Sequence, residues 1–346
     1  LYTFTSGTTK RPKVVPLSQG MLLANARASA ARLPYVENDR VFAPIPFRFI
    51  SAISHCLLTV LQKATYLGSE TPLIKGDMLT TMRDWRSTAF GGSPLQVRWI
   101  AETGEDAGAD FKLNWIMSSG DNLPVDVIDR LAGHMPDAKM IVAYGLTEVA
   151  GRFCLLDPAL LKERRGSVGV PIDGMRLSVR NEDDEPCQPG EIGNVFASGG
   201  CVFDGYLNLS EENSQVMTPH GFLTGDLGII DEDGYLYLRG RSDEVFKSAG
   251  QKVSALLIAQ ELIKLDIFTD VAVTDQPHPI LERVPHVYYV PKDGVEFKKG
   301  EVLRSLRKSL PSNHIPQEFT AVDRIPRTGS GKLDRRGFKE LLNALP

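Results

Sequence analysis

Leu1-Tyr2-Thr3-Phe4-Thr5-Ser6-Gly7-Thr8-Thr9-Lys10-Arg11-Pro12-Lys13 sets the hydroxyls of Thr5, Ser6, Thr8 and Thr9 around Gly7 and ends in cations. A solvated turn explains little of that density, and the stretch reads as a phosphate-binding loop. Gly7 lets the backbone approach an anion, backbone N–H groups and the hydroxyls can donate to phosphate oxygens, and Lys13 supplies charge. A Walker A loop would need a glycine directly before its lysine and Ser or Thr after it. Here Pro12 precedes Lys13 and Val14 follows, which argues against a kinase or P-loop ATPase. Taken alone, a Ser/Thr/Gly-rich stretch is a linker or turn more often than a nucleotide site, so the rest of the chain has to decide.

Outward from the loop, residues 13–17 are β-prone, and Ser18 is placed to cap a helix carried by Met21, Leu22, Ala26 and Leu33. The loop therefore stands just before a strand. Pro124 at a first helical position opens a second amphipathic segment with Val127, Ile128 and Leu131 on one face. Residues 140–143 form a continuous apolar run suited to a buried strand that ends at Tyr144, and strand ends are where α/β sheets bind ligands. From 168 to 237 the texture becomes short alternating strands, at 176–179, 194–197 and 235–238, broken by Gly, Pro, Asn and Asp turns. Beyond Arg241 come a helical stretch at 256–265, extended ones at 271–273 and 287–290, and another helix at 302–310. The expected fold is a large α/β domain over 1–240 with a β-rich subdomain at about 168–240. A small α+β domain over 241–346 would follow.

Three more segments match the loop in character. They are Tyr144-Gly145-Leu146-Thr147-Glu148; Phe222-Leu223-Thr224-Gly225-Asp226 with Gly240-Arg241-Ser242-Asp243; and Thr328-Gly329-Ser330-Gly331-Lys332-Leu333-Asp334. With the loop, these resemble, in the same order, the four signatures of the adenylate-forming superfamily, which includes acyl-CoA synthetases, peptide-synthetase adenylation domains and luciferases. The resemblance implies a mobile C-terminal domain hinged at 241–245 about Asp243. It also implies ATP and Mg²⁺ as reactants, with β- and γ-phosphates held by Thr5, Ser6, Gly7, Thr8, Thr9 and Lys13. Tyr144 and Gly145 would take adenine, Thr147 the α-phosphate, Glu148 the Mg²⁺, and Asp226 with Arg241 the ribose. Lys332 would be the catalytic lysine at the carboxylate and α-phosphate. Gly120 and Asp121, in Ser119-Gly120-Asp121, resemble the adenine-side loop, although a turn capping the helix at Pro124 accounts for them equally. The family usually has glycine where Lys10 and Val14 stand. Asp231 and Asp233 lie near Asp226, but the turn chemistry of Asp-Glu-Asp-Gly suffices for them.

Pro44-Ile45-Pro46-Phe47-Arg48-Phe49 resembles the segment beside the acyl pocket in which many relatives carry a histidine; here Arg48 or Phe49 falls there. An aromatic would close the pocket apolarly, an arginine would meet a polar acyl group. Gly91, Gly92 and Val149 would line the rest, the glycines leaving room for a bulky or long acid, and a core role is equally open for the apolar ones. Residues 248–253 resemble the stretch facing the thiol acceptor, which implies coenzyme A or the phosphopantetheine of an acyl carrier protein. Ala255 and Leu257 depart from the usual proline and acid there. The expected activity is an acid–thiol ligase acting on a fatty or aromatic carboxylic acid through an acyl-adenylate. An amino-acid adenylation domain is the alternative, lowered by the lack of an aspartate at 47–49 to hold an amino group. A catalytically weak nucleotide-binding regulator is another.

The bulk composition bounds these readings. At 346 residues and 42% hydrophobic content the chain buries a large core and divides into more than one domain. A net charge of −4 with both signs interspersed gives no reason to expect nucleic acid or an anionic membrane as partner, and no run of eighteen apolar residues predicts a span. Cys56, Cys154, Cys187 and Cys201 are too far apart for a CxxC pair and read as reduced thiols of a cytoplasmic protein. The six histidines show no metal-ligand spacing. Leu1 is not an initiator methionine, and the family has a substantial part of the large domain before this loop. The chain accordingly reads as a fragment or processed product, N-terminally incomplete.

Overall fold

The computed structural model describes residues 1–5, 12–69, 75–103, 112–120, 123–242, 245–248, 250–327 and 333–344. They group into two compact units. One holds Leu1–Thr224 and Ile229–Leu238; the other holds Gly225–Gly228, 239–327 and 333–344.

In the first unit, β1 (Tyr2–Phe4) and β2 (Val14–Pro16) pair antiparallel, and the Thr5 N–H donates to the Lys13 carbonyl at 3.0 Å. The segment read as a phosphate loop is thus the connection of a hairpin. Ser18 caps α1 (Gln19–Ala30), its hydroxyl accepting from the Met21 N–H, as its position predicts. Ala26 is buried and Met21 and Leu22 pack against the core as expected, but Asn25 and Ser29 point inward as well, and the helix stops before Leu33. The cause is a polar partner described below.

The chain then alternates through β3 (Arg40–Ala43), α2 (Ile50–Leu61), β4 (Thr65–Gly68), α3 (Lys75–Asp84), β5 (Ala89–Gly92), α4 (Pro94–Thr103), β6 (Trp115–Ser119), α5 (Val125–His134), β7 (Lys139–Leu146), β8 (Gly151–Leu156) and β9 (Val170–Pro171). The sheet order is β4-β3-β5-β6-β7-β8-β9, parallel as far as β7 and antiparallel beyond it. Strands β5 to β7 are buried on both faces, which is why residues 140–143 read as an unbroken apolar run. Val127, Ile128 and Leu131 are buried on α5 as expected, but Pro124 is the cap and not the first helical residue, its ψ of 142° being extended. The β-rich portion follows with β10 (Met175–Arg180) antiparallel to β11 (Gly193–Gly199), then α6 (Ser210–Val216), β12 (Met217–Thr218), β13 (Gly221–Ile230) and β14 (Leu236–Arg241).

The second unit contains β15 (Val245–Ser248), β16 (Gln251–Ser254), α7 (Ala255–Ile263), β17 (Phe268–His278), β18 (Glu282–Pro291), α8 (Lys299–Ser309), β19 (Glu318–Ala321) and α9 (Arg335–Ala344). Strand β18 lies between antiparallel β17 and parallel β19. Alternate side chains serve two cores: Val271, Val287 and Tyr289 join the cluster with Val302 and Leu306 of α8, while Ala272 and Tyr288 meet Phe338 of α9. The molecule is thus α/β followed by α+β, as expected from sequence. Among the described residues no helix is long and apolar enough to cross a membrane.

Candidate active site

Tyr144 and Gly145 lie on β7, which runs on to Leu146 and does not end at Tyr144. Thr147 and Glu148 open a single 3₁₀ turn, Thr147–Val149, closed by Ala150 in the left-handed region at φ 59°. Strand β8 then returns against β7. A side chain at Gly145 would run into the Gly151 carbonyl, so only glycine permits this close return. The register slips here. Tyr144 faces Cys154 but Gly145 faces Arg152, leaving Phe153 as one extra residue on β8. Such a bulge re-aims the side chains that follow it, and here it turns Arg152.

Asn25 of α1 holds the turn from beneath. Its amide donates to the carbonyls of Val149 at 2.9 Å and Arg152 at 2.6 Å, and its oxygen accepts from the Arg152 N–H at 3.2 Å. This polar partner is what α1 buries instead of a leucine. Because Ser18 starts α1 directly after β2, the hairpin and the β7–β8 turn are tied to one helix.

A second tie runs through Tyr206. Its hydroxyl donates to Glu148 Oε1 at 2.7 Å, and the Lys13 ammonium sits 4.5 Å from its ring centre. The Leu207 N–H donates to the Val14 carbonyl at 3.0 Å, and Asn213 bonds both backbone groups of Tyr206. Lys13, Tyr206 and Glu148 therefore stand in a row of cation, ring and acid. Glu148 is buried, and its other oxygen has no hydrogen-bond partner among the described residues. A hard carboxylate oxygen so placed fits Mg²⁺, which takes one or two protein carboxylates and completes its shell with phosphates and water. Among the described residues no group of three or more His, Cys, Asp or Glu could hold a metal by itself.

Of the residues expected at the acyl pocket, Gly91 adjoins a buried polar cluster formed by His55, Tyr35 and Arg152. Arg48 is exposed between β3 and α2, its guanidinium 4.7 Å above the Phe49 ring. Val149 is fully buried. The room expected beside the glycines is occupied: a Cβ on Gly91 would overlap the His55 imidazole, and one on Gly92 would lie 2.6 Å from the Phe90 ring and 2.7 Å from Gln96. His55 of α2 meets the Tyr35 hydroxyl through Nδ1 at 3.2 Å and Arg152 Nη2 through Nε2 at 3.2 Å. A tautomer with hydrogen on Nδ1 serves both, donating to Tyr35 and accepting from Arg152. Burial, and then the Arg152 charge, push His55 well below the usual histidine range, so it is neutral. Burial also lowers Arg152 and raises Tyr35.

In the second unit, Arg241 Nη1 lies 3.4 Å from Asp226 Oδ1, and Ser242 donates to the Gly225 carbonyl through N–H and hydroxyl at 2.9 and 3.1 Å. The guanidinium fills the space where Gly225 lacks a side chain, with Nη2 2.7 Å from a Cβ placed there, and Gly225 has φ +78°. Asp231 Oδ1 accepts from the N–H groups of Asp233 and Tyr235, the turn chemistry read from the sequence. Gly120 follows the last residue of β6 at φ +97°. Ser6, Gly7, Thr8, Thr9, Asp121, Asp243 and Lys332 lie outside the described residues. Tyr206, Asn25, His55 and Arg152 were not singled out from sequence. Only Tyr206 carried a local signal, as an aromatic after Gly205, whose φ is +123°.

The family profile described as AMP-binding enzyme matches residues 1–207, and that described as AMP-binding enzyme C-terminal domain matches 258–332. Feruloyl-CoA synthase from Amycolatopsis sp is 29% identical over 334 residues, 96% of this chain and 68% of that protein. The 2-succinylbenzoate–CoA ligase of Bacillus subtilis (strain 168) is 26% identical over 337 residues, 97% and 68% of the two chains. Among solved structures, o-succinylbenzoate CoA synthetase from Bacillus subtilis in complex with its acyl-adenylate intermediate superposes with a TM-score of 0.87 at 25% identity, covering 98% of this chain and 68% of that one. The same enzyme with ATP and magnesium gives 0.86 at 25%, covering 98% and 69%. An anthranilate CoA ligase shares the fold at 0.88 and 22%, covering 99% and 68%.

Proposed function

Since the chain belongs to the AMP-binding enzyme family, we propose that it is an ATP-dependent acid–thiol ligase. An oxygen of the acid attacks the α-phosphorus of ATP, the bond to the β-phosphate oxygen breaks, and pyrophosphate leaves. The resulting acyl-adenylate is attacked at its acyl carbon by a thiol, which loses its proton, and AMP departs. Two anions must meet in the first step, so positioning and charge neutralisation supply most of the acceleration. When bound, Mg²⁺ neutralises the phosphate oxygens.

The observation that carries this reading is the row Lys13, Tyr206, Glu148, which joins the hairpin to the β7 turn. A lysine over an aromatic face keeps its ammonium available to an anion, the attraction there being about 0.5–1 kcal/mol at exposed sites. In our reading Thr5, Ser6, Gly7, Thr8, Thr9 and Lys13 hold the β- and γ-phosphates, Thr147 the α-phosphate, and Glu148 the Mg²⁺. Tyr144, Gly145, Gly120 and Asp121 flank adenine, while Asp226 and Arg241 hold the ribose. Lys332 stabilises the meeting of carboxylate and phosphate. The residues from 241 on then turn about Asp243 between the two half-reactions, with the domain boundary at that hinge. The acid is fatty or aromatic, and the acceptor is coenzyme A or a carrier-protein phosphopantetheine. The four cysteines, none in a disulfide, support a reducing, cytoplasmic setting.

Carboxylate-dependent ATP–pyrophosphate exchange with Mg²⁺, run in parallel with fatty, aryl and amino acids, tests the reading. Exchange with fatty or aryl acids is expected. ATP binding without exchange for any acid would sink it.

A further inference from the structure

Arg152 is 5% exposed, yet the partners around its guanidinium are all neutral. Nη1 donates to the Ser54 hydroxyl at 2.5 Å; Nη2 meets His55 Nε2 at 3.2 Å and Met117 Sδ at 3.3 Å; Nε is buried with no partner among the described residues. Among the described residues no carboxylate and no backbone carbonyl accepts from it. Arg32 shows what a structural arginine does in the same unit: it donates to the carbonyls of Leu155, Val170 and Pro171. A guanidinium stays charged, and burying it against a hydroxyl, an imidazole and a thioether leaves its charge uncompensated.

The cluster also adjoins the acyl-side residues. His55 takes the space above Gly91, Met117 is the cross-strand neighbour of Gly91, and Asn25 joins the carbonyls of Val149 and Arg152. Of these contacts the thioether is the weakest acceptor and the most adaptable side chain. We propose that Arg152 is the specificity residue for a second carboxylate, carried by the acid substrate at the end remote from the reacting group. That carboxylate displaces Met117 from Nη2 and takes Nε and Nη2 together in a bidentate pair, the geometry for which arginine is suited. The neutral His55 and the Ser54 hydroxyl hold the guanidinium without competing for the anion.

This inference rests on the ligase reading, and the test separates the two. Pyrophosphate release is measured for 3-phenylpropanoate and its ortho-, meta- and para-carboxy derivatives, with the unmodified protein and with Arg152→Met. Binding of the same acids without ATP is followed by calorimetry. At least one carboxy isomer is expected to exceed phenylpropanoate tenfold or more in kcat/KM, through KM. Arg152→Met should remove that preference, while Arg152→Lys should keep part of it. Turnover of phenylpropanoate equal to or above every carboxy isomer overturns the proposal, whatever the variants do. Selective binding of a diacid, lost in Arg152→Met, without turnover of any acid supports the Arg152 site and overturns the ligase reading. Neither binding preference nor turnover overturns both.

Discussion

Tyr206 and His55 show how much the site depends on single side chains. Tyr206→Phe leaves the ring beneath Lys13 but removes the hydrogen bond that the Tyr206 hydroxyl donates to Glu148 Oε1 at 2.7 Å. Hydrogen bonds to charged groups contribute about 1.5–3 kcal/mol. Pyrophosphate exchange should therefore fall roughly ten- to hundredfold, with the Mg²⁺ requirement shifted upward in a titration. Unchanged Mg²⁺ dependence would mean that the carboxylate is oriented by other groups. His55 makes a prediction about stability. Its proton affinity is lower in the folded protein than in the unfolded chain, so the unfolded state binds more protons as pH drops through the ordinary histidine value of 6.5. Stability is full above that value and is lost below it. Thermal scans between pH 8 and pH 5 should show a falling Tm, and His55→Gln should flatten the fall; a slope identical to that of the unmodified protein would exclude His55 as a source. Neither role was legible in the sequence. The phosphate loop and Tyr144 to Glu148 announce themselves by residue type and spacing, whereas His55 and Arg152 lie 97 positions apart and meet only after folding.

Elements were legible where one periodicity governed them. Residues 140–143 are apolar because β7 is covered on both sides, and α5 buries the three residues its spacing selects. Helix α1 departs from a wholly apolar face for the complementary reason: Asn25 also points inward to satisfy backbone groups of the β7–β8 turn, with the Ser29 hydroxyl on its side-chain oxygen. Replacing Asn25 by alanine strands two buried carbonyls and one buried N–H. The expected loss is about 3 kcal/mol, each unsatisfied group costing about 1–3 kcal/mol before relaxation. Urea denaturation should show the loss, together with weaker ATP binding as the turn carrying Glu148 loosens. A destabilisation below about 0.5 kcal/mol would show that water replaces the amide. The bulge at Phe153 was likewise invisible, since nothing in residues 151–156 alone announces an extra residue.

For the molecule as a whole, the order of four motifs along 346 residues gave the family and the succession of α/β and α+β parts. His55, Arg152 and Asn25, which come together beside Gly91 and the β7–β8 turn, belong to no motif. Lys332→Ala provides the test at this scale. It should abolish adenylation, a loss of at least a hundredfold in pyrophosphate exchange for an electrostatic group acting in the transition state, while largely sparing thioester formation from supplied acyl-adenylate. Equal loss of both half-reactions would reject the assigned role. The second unit bears on how such an alternation is possible. Strand β18 is flanked by β17 and β19 and feeds alternate side chains into two separate cores. Displacing it would disturb both cores at once, so this one strand couples the packing of α8 to that of α9. A unit tied together in this way is expected to open as one cooperative block, which common protection of the β18 amides and of the α8 and α9 amides in hydrogen exchange would show.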